Sequence, residues 1–126
     1  IKPENYIGID PSFSMLDLLK QEYSKYKNRV INCYFEDFYI KRKFDFIIAL
    51  FGSCSYISEH FLKRIKYFLN KSGKYFLMFY KENYKPFYYG DIVKEFNCKS
   101  HGIYLEKEFK DCKKEVYDNF NIIHNL

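Results

Sequence analysis

Tyr6-Ile7-Gly8-Ile9-Asp10-Pro11-Ser12-Phe13-Ser14-Met15-Leu16 opens as a short apolar run, closes that run with an acid, and passes at once into residues that start helices. The run from Tyr6 to Asp10 reads as a buried strand, short and bounded by turn signals. Pro11 suits a first helical turn, and Ser14 with Asp17 three residues on forms a cap pattern. A helix is therefore expected from Ser12 or Ser14 to Tyr26, with Met15, Leu18, Leu19, Tyr23 and Tyr26 on one face. Strand, acid, helix is also how nucleotide-binding α/β proteins hold the hydroxyls of a ribose. There the acid stands about 20 residues beyond a glycine-rich turn. Here nine residues precede Asp10, and none makes such a turn.

The same alternation continues along the chain. Val30 to Phe35 is rich in β-formers and is followed by Glu36-Asp37. Lys41-Arg42-Lys43 reads as a solvated loop. Phe44 to Phe51 (FDFIIALF) is the most hydrophobic strand and ends at Gly52-Ser53. A run apolar on both faces is expected at the centre of a parallel sheet. A helix from Glu59 to Leu69 carries the stripe Phe61, Leu62, Ile65, Phe68 and Leu69, and Asn70-Lys71-Ser72-Gly73 stops it. Lys74 to Tyr80 is a further strand. The stretch from Lys81 to Gly102 is irregular, with a short helix at 91–96. Leu105, Phe109, Cys112 and Val116 mark a last amphipathic helix, and Phe120 to Ile123 a closing strand. The order β-α-β-β-α-β-(α)-α-β implies an α/β fold, a mostly parallel sheet with helices on both faces.

Composition bounds the function. The 126 residues suffice for one domain with one core. No apolar run reaches the ~20 residues that span a bilayer, and no basic segment leads an apolar one as in a secretion signal. The four cysteines, at 33, 54, 98 and 112, have no CxxC spacing. They read as reduced thiols of a cytoplasmic protein. The net charge is +5. It rests on lysines scattered along a chain equally rich in Asn, Ile, Tyr and Phe, a bias of AT-rich codons, so nucleic-acid binding is not expected. His60, His101 and His124 show no ligand spacing, and no metal is expected. The first residue is Ile rather than Met, so the chain is expected to be a piece of something longer.

In sheets of this kind ligands sit beyond the carboxyl ends of the strands. Asp10, Glu36-Asp37-Phe38, Phe51-Gly52-Ser53-Cys54-Ser55-Tyr56 and Tyr80 with Tyr84 all fall there. A carboxylate can accept two hydrogen bonds from a ribose diol, and aromatic rings with Met15 can sandwich a purine. Taken together, YIGIDPSFSML, FEDF at 35–38, FDFIIALFGSCSYIS and FLNKSGKYFLMFY resemble, in order, the Rossmann-like class I S-adenosylmethionine-dependent methyltransferases over nearly the whole chain. The resemblance implies Asp10 as the ribose ligand, Asp37 as the ligand of the adenine amino group and Phe38 beside the ring. It places Phe51 and Gly52 near the methionine part of the cofactor. Tyr56, Tyr80 and Tyr84 become candidates for contact with a small-molecule methyl acceptor. FGSC is not the Asn/Asp-Pro-Pro-aromatic tetrapeptide of enzymes that methylate nucleic-acid bases, which again speaks against nucleic acid. Methyl transfer to a held acceptor is largely a matter of alignment, so no catalytic base is named.

The resemblance also says what the chain lacks. The family's first strand and glycine-rich loop would precede Ile1, and that strand lies between the second and fourth. Residues 1–126 are thus expected to be one partial domain, inactive alone and inclined to self-associate through unpaired strands. A last antiparallel strand is not evident after Leu126. Each assignment has a plain structural rival. Asp10 can be a helix cap, Asp37 a turn acid, Met15 helix core, the three tyrosines ordinary packing, and Cys54 a bystander thiol. A non-catalytic remnant or interaction module, and a nicotinamide-dependent dehydrogenase fragment, are the alternative functions.

Overall fold

The structure is a computed structural model and describes residues 1–81 and 98–126. Tyr84 and the short helix expected at 91–96 lie outside the described residues. The chain divides into two compact units, Ile1–Ile40 and Lys41–Leu126.

The first unit is a β-α-β turn of chain. Strand β1 (Gly8–Asp10) leads to helix α1 (Phe13–Glu22), a 3-10 turn at Ser24–Tyr26, strand β2 (Val30–Asn32) and a second 3-10 turn at Phe35–Asp37. The strands pair in parallel, Gly8 with Val30, Ile9 with Ile31 and Asp10 with Asn32. Helix α1 starts one turn element earlier than the Ser14 pattern suggests. Ser12 is its N-cap, and the Ser12 hydroxyl accepts from the Met15 N–H at 3.3 Å. The helix ends at Glu22, and the 3-10 turn takes the chain on to Tyr26. The expected apolar face is out of phase. Leu16 is the buried residue, at 4% exposure, while Met15, Leu18 and Tyr23 are more than half exposed. Leu19 and Lys20, three and four positions from Leu16, are half-buried beside it, as one helical face requires. Phe38 is the other buried apolar side chain of this unit.

The second unit is a four-stranded mixed sheet with helices. Strand β3 (Phe44–Ala49) is followed by α2 (Ser53–Tyr56), α3 (Glu59–Phe68), β4 (Leu69–Tyr80), α4 (Cys98–Glu108), β5 (Lys113–Val116) and β6 (Phe120–His124). The sheet order is β3-β4-β6-β5. Strands β3 and β4 are parallel, whereas β6 is antiparallel to both β4 and β5. The core is the period-two face of β4 (Tyr75, Leu77, Phe79) with Leu62, Ile65 and Phe68 of α3, Leu105 of α4, Phe109, and Ile123 of β6, which the register sets beside Leu77, while Ile122, beside Met78, is buried on the other face. The α3 stripe read from the sequence is the face that is buried. Tyr75 meets Phe109 ring to ring at 4.5 Å between centroids. Asn125 holds the middle of β4: its amide oxygen accepts from the Tyr75 N–H at 2.8 Å, and its amide nitrogen donates to the Gly73 carbonyl at 3.1 Å.

Five expectations are corrected here. The sheet is not mostly parallel: the described strands form a two-stranded parallel pair and a separate mixed sheet. Among the described strands FDFIIALF is not central, since β3 pairs there only with β4 and ends at Ala49. Its Phe46 and Ile48 are 44% and 50% exposed, because composition cannot tell an edge from an interior strand. The last helix stops at Glu108. Leu105 and Phe109 face the core, but Cys112 lies beyond the helix and Val116 belongs to β5, the first strand of a hairpin. Asn70-Lys71-Ser72-Gly73 does not separate helix from strand. It is an excursion within β4, where Phe44 pairs with Leu69 and Phe46 with Lys74. The closing strand at Phe120–His124 is itself antiparallel, so an antiparallel strand is present before Leu126. Among the described residues no helix is long and apolar enough to cross a membrane.

Leu77 is fully buried in the strand that joins both halves of this sheet. Truncating Leu77→Ala removes buried carbon and leaves a cavity, a change that costs about 2–5 kcal/mol. Urea unfolding followed by circular dichroism should show the midpoint falling accordingly, or no folded baseline at all.

Candidate functional site

The residues singled out from the sequence stand at strand carboxyl ends, divided between the two units. In the first unit, Asp10 is the last residue of β1, and its hydrogen-bonding neighbour across the parallel pair is Asn32. The Asn32 amide donates to the Asp10 carbonyl at 3.0 Å. The Asp10 carboxylate accepts from the Ser12 N–H through Oδ1 at 2.7 Å. That bond is part of the start of α1, so Asp10 does serve the helix entry. It leaves Oδ2 with no hydrogen-bond partner among the described residues. An ionised carboxylate has about four acceptor positions, so the local bond does not exhaust it. Asn32 was not singled out from the sequence. Its signal is its place at the end of the neighbouring parallel strand.

Met15 lies in the first turn of α1 at 59% exposure, so it is not helix core and its thioether is open to a planar partner. Asp37 is exposed at the end of the 3-10 turn, where its N–H donates to the Tyr34 carbonyl at 3.1 Å. Its carboxylate bears on Cys33, whose thiol is pushed up first by burial and then by the Asp37 charge. Phe38 is 8% exposed, which makes it a packing residue with little ring left to offer a ligand.

In the second unit the carboxyl ends of β3 and β4 are tied together by an unusual turn. Phe51 has φ of 52° and Gly52 φ of 72°. Left-handed backbone is costly for a residue with a bulky side chain, and strain of this kind concentrates at functional sites. The Phe51 ring is 78% exposed. Gly52 is required on two counts: its φ is positive, and a Cβ there would come within 2.3 Å of the Tyr80 ring. The short helix α2 follows, and the Ser53 hydroxyl bonds back to the Leu50 carbonyl at 2.5 Å. Ser55, 3% exposed, accepts the Tyr80 N–H on its hydroxyl at 2.7 Å. The Tyr56 and Tyr80 rings meet edge to face at 6.4 Å. Tyr80 is thus committed at both ends, by its backbone to Ser55 and by its ring to Gly52 and Tyr56. Ser55 could not be singled out from its sequence context, because nothing in it signals a contact 25 residues away.

Cys54 is fully buried, and burial pushes its thiol up to about 12. It is protonated and shielded at neutral pH, hence not a nucleophile. The cysteines whose side chains are described, Cys33, Cys54 and Cys112, are free thiols. No group of His, Cys, Asp and Glu among the described residues could hold a metal ion. No protein-family model matches the chain, and no curated protein matches it.

Two outcomes follow from the second unit's turn. Gly52→Ala must either move Tyr80 or abandon the left-handed turn, and should lower stability by about 1–3 kcal/mol in a urea titration. Alkylation of native protein at pH 8 should label Cys33 and Cys112 well before Cys54, whose modification should track unfolding when the sites are read by peptide mass spectrometry.

Proposed function

We propose that this chain carries the adenosine-binding side of an S-adenosylmethionine-dependent methyl transfer to a small-molecule acceptor. The observation that carries the reading is the Asp10 carboxylate, at the end of a parallel strand and the start of a helix, with Oδ1 fixed by Ser12 and Oδ2 unengaged among the described residues. A carboxylate oriented by its own helix entry pays little to order itself around a ribose diol. Met15 would pack against the base, and exposed Asp37 would accept from its amino group. Phe38, being buried, would support that wall from behind.

The fit is to one half of the cofactor. Residues 1–9 hold no glycine-rich turn, and no cluster of backbone donors for the charged methionine end stands before Asp10. When bound, the cofactor supplies an activated methyl group. The part of the first unit is to hold the adenosine; Phe51, Gly52 and Tyr56, in the second unit, remain the candidates for contact with an acceptor. Tyr80 then acts by holding that turn, and touches no acceptor in this scheme. The burial of Phe38, which leaves little ring for a base, is the specific observation that favours a second reading, a non-catalytic module that keeps the fold.

Isothermal titration separates the two. Residues 1–126 alone should show no measurable heat with S-adenosylmethionine. In a chain extended ahead of Ile1 by a strand ending in Gly-x-Gly, binding should appear, and Asp10→Ala should weaken it about 10–150-fold, the ~1.5–3 kcal/mol of a charged hydrogen-bonding partner. Binding that is indifferent to Asp10→Ala would remove that residue from the site, and an extended chain without binding would leave the non-catalytic module.

A further inference from the structure

The strand pair of the first unit is three residues long, and its last rung is Asp10 with Asn32. Fraying begins at the ends of so short a pair. The acid proposed to hold the ribose therefore stands on a rung that the ladder secures least. Strand β2, Val30-Ile31-Asn32, closes two β-branched residues with a residue type that is depleted in strands. Asn32 is exposed and adds nothing to the core. What it adds is a bond: its Nδ2 donates to the Asp10 carbonyl at 3.0 Å, from the position directly opposite in the register. The Ser12 N–H donates to Oδ1 of the same acid at 2.7 Å. Between them stands Pro11, whose ring fixes its own φ. The carbonyl and the carboxylate of Asp10 are thus each held, one from the neighbouring strand and one from the helix entry.

We propose that Asn32 is a positioning residue for the Asp10 carboxylate. It touches neither ligand nor reacting atom in this role. Its ligand is taken from the methyl-transfer reading, on which the role rests, while its geometry lies within the first unit alone. Rotation about the Cα–C bond of Asp10 swings the carbonyl and the Pro11-Ser12 segment together. With them goes the N–H that orients Oδ1. Asn32 holds the carbonyl and so holds that rotation. Without the bond, Ser12 and the carboxylate lose their alignment, and ordering the acid falls to the ligand. The amide is specifically required. An aspartate at this position could not donate to a carbonyl when ionised, and it would set a second negative charge directly opposite Asp10.

Amide hydrogen exchange on residues 1–126 reads this positioning without any ligand. Asn32→Ala should speed exchange at Ser12 about 2–10-fold, as the loss of one hydrogen bond does. The Gly8 N–H, bonded to the Arg29 carbonyl at the other end of the pair, should exchange as before. A merely structural role would speed both, and an unchanged Ser12 would leave Asn32 no role. In the chain extended ahead of Ile1, titration with S-adenosylmethionine should show Asn32→Ala weakening binding about 2–10-fold and Asn32→Asp weakening it further. In an Asp10→Ala background Asn32→Ala should change nothing, because it acts only through that acid. An undiminished effect in that background would overturn the proposal. An extended chain weakened by Asp10→Ala but indifferent to Asn32→Ala would also overturn it, and would leave the methyl-transfer reading standing. An extended chain that binds nothing would remove both.

Discussion

Strand β4 is the constraint on which the second unit depends. It alone pairs on one side with a parallel strand, β3, and on the other with an antiparallel one, β6. Its alternation supplies Tyr75, Leu77 and Phe79 to the core, where the α3 stripe and Phe109 close over them. Its middle is held by Asn125 and its carboxyl end by Ser55. Because the carboxyl end of β4 is fixed, the turn after β3 is fixed too. Tyr80 cannot move without releasing Ser55, and Gly52 cannot relax while Tyr80 covers it. Buried hydrophobic surface thus positions a polar and strained segment that has little stabilising packing of its own.

The parts of this arrangement that could be read from the sequence are those set by local periodicity. KYFLMFY alternates as a strand with one buried face must, and Leu62, Ile65 and Phe68 recur as a buried helical stripe must. Where the reading failed, the deciding information was non-local. FDFIIALF has the composition of an interior strand, and only the absence of a second neighbour among the described residues makes β3 an edge there. Leu105, Phe109, Cys112 and Val116 keep helical spacing across a boundary that is set by the pairing of Lys113–Val116 with β6. In α1 both Ser12 and Ser14 could cap. The choice of Ser12 depends on Asp10, whose carboxylate holds the Ser12 N–H, and it moves the buried position to Leu16.

The same division governs the candidate site. That an acid would end the first strand was legible, and so was a glycine after the third. What each does was not. Gly52 reads as a simple strand stop, but its positive φ and the Tyr80 ring above it make it the one residue type the turn tolerates. Tyr80 reads as one of many tyrosines that could meet a substrate. Its N–H is bonded to Ser55 and its ring packs on Tyr56 within the unit. Phe38 reads as a ring beside a base and proves to be core.

Asp10 shows why a structural role and a ligand role need not compete. A helix entry needs an acceptor for an early N–H, and Asp10 meets that need with one oxygen. The bond costs the carboxylate its freedom to rotate, and that restriction is what a binding group needs before a ligand arrives. An acid left to swing in solvent would lose conformational entropy on taking a diol. An acid already held by Ser12, with Asn32 bonded to its carbonyl on the adjacent strand, has lost most of it in folding. The cap is therefore part of what would make Asp10 an effective ligand, and the two readings of this residue describe opposite oxygens of one carboxylate.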